Sequence, residues 1–328
     1  MRLFVYNYRD YDEETYFKKY GALYNAELTL CSDSPSMENL ERLQGFDAVS
    51  IITTPTGRDV LKKMKEMGIR CVATRSIGVN HIDLKAAEEL GITVCNAVYP
   101  PDSVANYAIM LMLMCCRKVI PTLKRAEIQD FSLPGKKGKE ISVSTVGVMG
   151  TGRIGRTVIR HLSGFGCRIL AYDLYENDEV KKYAQYVDRE TLLKESDILT
   201  LHMPYTEENY HLVDERAFVQ MKEGAILINT ARGELIDTQA LIAAVQSGKI
   251  GAAGLDVIEQ ETGLYYANLM DRPLANGELA VLNSFPNVIV TPHTAFYTDE
   301  AVGSMIQSTI EGCCLALEGK ENPYAFRG

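Results

Sequence analysis

The stretch Thr145-Val146-Gly147-Val148-Met149-Gly150-Thr151-Gly152-Arg153-Ile154-Gly155 decides the fold. Residues 145–149 read as a buried strand, residues 156–162 open a helix, and three glycines at G-x-G-x-x-G spacing join them. Gly150 permits the tight turn. Gly152 lets the backbone approach an anion with no Cβ in the way, and Gly155 lets helix and strand pack closely. The helix N-terminus then offers unpaired N–H groups and its positive dipole end to phosphates.

A lone glycine motif is a weak signal. Here a strand precedes it, a helix follows it, and Asp173 ends the next strand 18 residues after Gly155. An acidic residue there accepts both ribose hydroxyls of NAD and repels a 2′-phosphate, and Leu174 and Tyr175 supply no arginine for NADP. The expected cofactor is NAD.

Outward from the motif, strands are expected at 145–149, 168–172, 197–203, 225–230, 252–257 and 288–291, six strands being a full dinucleotide-binding sheet. Before it, β-branched runs at 3–6, 27–31, 48–53, 71–76 and 93–96 alternate with helix-length segments, the pattern of a second parallel, helix-covered sheet. Tyr99-Pro100-Pro101-Asp102-Ser103 separates the two series and feeds a helix with Asp102 or Ser103 as N-cap. That helix, 104–116, is apolar nearly all round and predicts a homodimer interface. A final helix over 299–317 has no strand partners of its own and is expected to cross back to the first domain. The fold class is therefore α/β with two doubly wound parallel-sheet domains: a discontinuous one, 1–99 with 299–328, and a Rossmann domain, 100–298. The long irregular segment 264–286 reads as surface loop rather than as a site.

At 328 residues, with 46% hydrophobic and 23% charged side chains, the chain has the profile of a globular protein with two cores. A net charge of −9 argues against nucleic acid or an anionic membrane as partner. No stretch approaches the ~18 apolar residues of a membrane span, and the N-terminus lacks a signal-peptide core, so cytoplasmic residence is expected. Eight cysteines without ligand spacing read as free thiols, with neither disulfides nor a metal site expected.

Three strand ends offer catalytic groups. Arg232, just past strand 225–230, is placed where the carboxyl ends of such a sheet face a ligand, and a guanidinium there binds a carboxylate bidentately. His293, in Thr291-Pro292-His293-Thr294-Ala295-Phe296, carries an imidazole, the kind of side chain best suited to proton donation near neutrality. A carboxylate on its other nitrogen would keep it protonated, and both Glu259 and Glu261 qualify. A cation, a proton donor and NAD together suit the reduction of a 2-oxo acid.

These residues, with Gly78 in Thr74-Arg75-Ser76-Ile77-Gly78-Val79-Asn80-His81-Ile82-Asp83, resemble the D-2-hydroxyacid dehydrogenase family over nearly the whole chain. The similarity is greatest to its D-lactate members, those of vancomycin-resistance operons and of lactobacilli. The motifs that carry it are 146–155, 228–238, Gly254-Leu255-Asp256-Val257 and 291–298. The resemblance implies Arg232 as the substrate-binding arginine, His293 as proton donor and Glu261 as its carboxylate partner. It implies NAD contacts at Arg153, Ile154, Asp173, Met203, Pro204, Asn209, Thr230, Ala231 and Asp256. Substrate contacts would be Ile77, Gly78, Tyr99 and Phe296, and the first domain would be a flavodoxin-like substrate domain that closes on hinges. Pro100 stands where relatives have serine and Asn106 where they have an acid, which bears on the hinge. Ile52 stands where several D-lactate enzymes have tyrosine and leaves room for a larger side chain. D-lactate dehydrogenase is the leading activity implied, with D-2-hydroxyisocaproate- or phenyllactate-type reduction as alternative. The family also contains NAD-regulated corepressors, a binding function of a different class.

Overall fold

The computed structural model describes residues 1–261 and 263–326, so the last two positions of the expected 299–328 segment lie outside the described residues. The chain divides into two compact units, Met1–Pro100 with Tyr297–Gly328, and Pro101–Phe296.

The first unit holds β1 (Arg2–Val5), β2 (Glu27–Leu30), β3 (Ala48–Ile51), β4 (Cys71–Thr74) and β5 (Thr93–Asn96). They pair in parallel in the order β2-β1-β3-β4-β5, the flavodoxin-like winding, which reverses between β1 and β3. β3 and β4 are buried at every position, as strands covered by helices on both faces must be. The expected returning helix is present as Asp299–Glu318. Its Thr298 cap accepts from the Ala301 N–H at 3.2 Å, and it lies on the helix Asp10–Leu23 and on β4 and β5. A buried arginine, Arg75, ties the ends of three strands together. It donates to Glu13 Oε1 at 2.9 Å, to Ser50 Oγ at 2.7 Å and to the carbonyls of Tyr6 and Asn7 at 3.0 and 2.9 Å. Paired on every side in this way, the charge is tolerable in the interior.

The second unit holds β6 (Thr145–Met149), β7 (Arg168–Tyr172), β8 (Gln185–Tyr186), β9 (Ile198–Leu201), β10 (Ala225–Asn229), β11 (Ile250–Leu255) and β12 (Val288–Val290). Their order, β12-β11-β10-β9-β6-β7-β8, is the Rossmann winding with the reversal between β6 and β9. Seven strands replace the expected six, because β8 is a two-residue edge pairing with no apolar run to announce it. The helix Asp102–Cys116 packs on β10, β11 and the helix Arg153–Leu162. Gly254 of β11 lets it come close, since a Cβ there would sit 3.0 Å from the Leu111 Cβ. Leu111 and Met112 are fully buried against this sheet, each contributing about 1.5–3 kcal/mol.

Two expectations need correction. The N-cap of that helix is Pro101, whose ring fixes φ near the helical value; Asp102 is the first helical residue, and neither Asp102 nor Ser103 caps it. The segment 264–286 is not irregular throughout, since Gly277–Ser284 is helical behind an Asn276 cap.

Candidate active site

The glycine turn has the geometry its residues require. Gly150 holds φ +93, and a Cβ there would lie 2.7 Å from the His202 carbonyl carbon; a Cβ on Gly155 would collide with the Gly150 carbonyl oxygen. Gly152 differs: it is the N-cap of Arg153–Leu162, and no atom lies within 4 Å of where its Cβ would be. Its missing side chain leaves a cradle open above the first N–H groups of the helix. Asp173, at the end of β7, accepts from Thr151 N at 2.5 Å and from Thr151 Oγ1 at 3.0 Å, so its carboxylate sits beside the turn.

The neighbouring strand ends bring in the other expected cofactor positions. Asn209 closes the loop after β9, donating to the Pro204 carbonyl and accepting from Thr206 N, both at 2.8 Å, close to Met203. After β10, Ala231 N donates to Asn229 Oδ1 at 3.0 Å, and Thr230 Oγ1 is buried without a hydrogen-bond partner. A buried hydroxyl with no partner costs free energy that a bound polar ligand can return. The open cradle, the acid at the end of β7 and this orphaned hydroxyl all fit a bound dinucleotide. Arg153 and Ile154 form the first turn of the helix that would face its phosphates.

The turn after β12 is built on Asp256. Fully buried after β11, its carboxylate accepts from Thr291 Oγ1 (2.6 Å), Thr294 N (2.9 Å) and Ala295 N (2.8 Å), while its carbonyl accepts from His293 N (2.8 Å). These bonds hold the turn after β12, where His293 adopts the left-handed φ of 53°. The turn projects the imidazole so that Nδ1 donates to Glu261 Oε1 at 2.6 Å. Nε2 is left for another partner.

Glu259, the rival carboxylate, is engaged elsewhere: with His211 Nε2 at 2.8 Å and as acceptor from Thr238 Oγ1 at 2.6 Å. Arg232 follows β10, partly exposed, its Nη1 donating to the Ala231 carbonyl at 2.6 Å. Gly233 beside it has no room for a side chain against the Ile258 backbone, which locks the arginine's loop to the loop that carries Glu261. The structure thus gathers Arg232, Glu261, His293 and Phe296 at adjacent strand ends of one unit. Sequence reading missed a neighbour in 264–286: Tyr266 Oη donates to the His293 carbonyl at 2.7 Å. Its only signal was an aromatic residue shortly after Glu261.

In the first unit, Ile52 and Gly78 stand past the ends of β3 and β4 and are linked through side chains. Thr74 Oγ1 contacts the Ile52 carbonyl (3.1 Å) and Ser76 Oγ (2.8 Å), and Ser76 donates to the Gly78 carbonyl (2.7 Å). His81 Nε2 joins at Thr74 Oγ1 (3.0 Å), and burial pushes its pKa down to about 4. Asn96 donates to the Ile77 carbonyl at 2.8 Å, and Tyr99 follows β5, partly buried.

Known proteins share the fold and much of the sequence. Residues 109–295 match the family model for the D-isomer specific 2-hydroxyacid dehydrogenase, NAD binding domain. An aromatic 2-oxoacid reductase of Clostridium sporogenes is 44% identical over 94% of each chain. The structure of a D-2-hydroxyisocaproate dehydrogenase superposes with a TM-score of 0.92 at 35% identity over the full length of both chains. That of a D-lactate dehydrogenase with NAD+ from Lactobacillus jensenii does so with 0.89 at 33%, again over both full chains. Fold, glycine turn and these likenesses converge, and the chain belongs to the D-isomer specific 2-hydroxyacid dehydrogenase family as an NAD-dependent oxidoreductase.

Proposed function

We propose that the protein reduces 2-oxo acids, from pyruvate upward in size, to D-2-hydroxy acids, with Arg232, Glu261 and His293 as its chemical centre. The observation that carries the reading is the 2.6 Å bond between His293 Nδ1 and Glu261 in the unit that also presents Arg232. NADH, held by Gly150, Gly152, Arg153, Ile154, Gly155, Asp173, Met203, Pro204, Asn209, Thr230, Ala231 and Asp256, supplies the hydride. Arg232 binds the substrate carboxylate and draws electron density toward the carbonyl oxygen. Glu261 fixes the ring with Nδ1 protonated, so that Nε2 gives its proton to the oxygen as negative charge develops there. The backbone at Ile77 and Gly78, with Tyr99, is assigned to the carboxylate, within a substrate domain of 1–99 and 299–328. Ile52 and Phe296 are assigned to the side chain. Ile52 favours substrates larger than pyruvate, as do the names of the aromatic reductase and the hydroxyisocaproate enzyme among the relatives. Steady-state reduction of pyruvate, 2-oxoisocaproate and phenylpyruvate tests the reading. Turnover of none of them would favour an NAD-regulated binding protein.

The same proposal includes a homodimer. Met110 on the helix Asp102–Cys116 is 39% exposed, and Ile128, Phe131 and Leu133 further along are 75–82% exposed, an apolar surface suited to a second copy of the chain. Sedimentation equilibrium of a dimer is expected; a monomer would contradict it. Cytoplasmic residence is supported by the eight unpaired thiols, which suit a reducing compartment, and is tested by cell fractionation. No single helix among the described residues is long and apolar enough to cross a membrane.

A further inference from the structure

The shortest strand of the second unit carries one polar group into the glycine turn. β8 adds only Gln185 and Tyr186 to the sheet, and Tyr186 pairs with Ala171, two residues before Asp173. The tyrosine ring is partly buried against the apolar cluster that contains Val148 and Ala171, a packing role that phenylalanine would fill as well. Its hydroxyl does something else: it lies 2.8 Å from Thr151 Oγ1 and accepts from Asn177 N at 3.0 Å. A hydroxyl has one proton to give and a carboxylate none. Thr151 Oγ1 gives its proton to Asp173 Oδ2 at 3.0 Å, so the proton between Thr151 and Tyr186 comes from the tyrosine. The chain then runs one way, from Asn177 N–H through the Tyr186 and Thr151 hydroxyls to the Asp173 carboxylate, and each hydroxyl in it both accepts and donates. It closes around the acid. Thr151 belongs to the glycine turn, Asn177 ends the loop that leaves Asp173, and within that loop Tyr175 N donates to Asp173 Oδ1 at 3.2 Å.

We infer that Tyr186 is a positioning residue for cofactor selection: its hydroxyl clamps the glycine turn to the loop after Asp173 and so holds the carboxylate where it accepts from the ribose hydroxyls of NADH and repels the 2′-phosphate of NADPH. The inference rests on the assignment of Asp173 to the cofactor. A carboxylate free to swing binds the ribose of NADH less well and opposes NADPH less, so the preference between them narrows even where the fold is intact.

The test needs no turnover. Kd for NADH and for NADPH is measured by fluorescence titration, beside Tm, in wild type, Tyr186→Phe, Thr151→Val, Thr151→Ser and Asp173→Ala. The ratio of the NADPH to the NADH Kd falls about 5-fold in Tyr186→Phe and in Thr151→Val, while Thr151→Ser, which keeps the hydroxyl, retains it. A role in stability alone would lower the Tm and leave the ratio where it was. A ratio within twofold of wild type in Tyr186→Phe, when Asp173→Ala lowers it, overturns the inference and leaves the assignment of Asp173 standing. A ratio unchanged in Asp173→Ala overturns both.

Discussion

Gly152→Ala separates what the glycine turn does for folding from what it does for the cofactor. Gly152 has φ −62, which alanine adopts freely, and no atom lies within 4 Å of the added Cβ. Alanine is a poorer N-cap than glycine by some tenths of a kcal/mol, and a stiffer unfolded chain returns about 0.4–1 kcal/mol, so net stability changes by less than ~1 kcal/mol. The methyl group instead fills the space through which a pyrophosphate approaches the helix N-terminus. Losing one hydrogen bond to a charged group there costs about 1.5–3 kcal/mol, a rise of roughly 10- to 100-fold in the Kd for NADH. Fluorescence titration with NADH and thermal denaturation measure the two effects on the same protein. An NADH affinity within twofold of wild type, in a variant of unchanged Tm, would refute the placement of the phosphates. Gly155→Ala is the counterpart: its Cβ meets the Gly150 carbonyl oxygen, so the Tm itself drops.

Asp173→Ala, by removing the acid beside the turn, raises the KM for NADH and narrows its advantage over NADPH; an unchanged ratio of the two would remove Asp173 from cofactor selection. Glu261→Gln lowers kcat about 10- to 100-fold, while Glu259→Gln, whose contacts are His211 and Thr238, costs much less; the reverse order would transfer the histidine partnership to Glu259. His202 is buried, and burial pushes its pKa down from 6.5 to about 3. The unfolded chain takes a proton below pH 6.5 that the folded one refuses, so stability is lost as pH falls from 6.5 toward 3, by about 1.4 kcal/mol per pH unit from this group. Thermal denaturation across that range should give a shallower slope for His202→Asn, and equal slopes would remove His202 as a cause.

The strands were legible wherever β-branched runs are buried on both faces, as in Ala48–Ile51 and Ala225–Asn229. Gln185–Tyr186 escaped because an edge pairing of two residues needs no apolar pattern. Arg232 and His293 could be picked out by their positions past strand ends. The choice between Glu259 and Glu261 could not be made from residues alone, since both lie in one short loop and only its path decides which carboxylate meets which histidine. Asp256 was read as a cofactor contact, and what sequence did not reveal is that its carboxylate shapes the turn bearing His293. Tyr266 was hidden by the lack of periodicity around it, its hydroxyl bonding a residue 27 positions away.

In the proposed reaction His293 delivers the proton in a reduction that consumes NADH. Loss of the reduced-nicotinamide absorbance should be followed with pyruvate, 2-oxoisocaproate and phenylpyruvate, in wild type and in His293→Ala, with NADH affinity measured for both. Turnover of at least one acid by the wild type is expected, with a loss of about 100-fold or more in the variant and NADH affinity kept within a few-fold. Near-normal turnover by His293→Ala would contradict it.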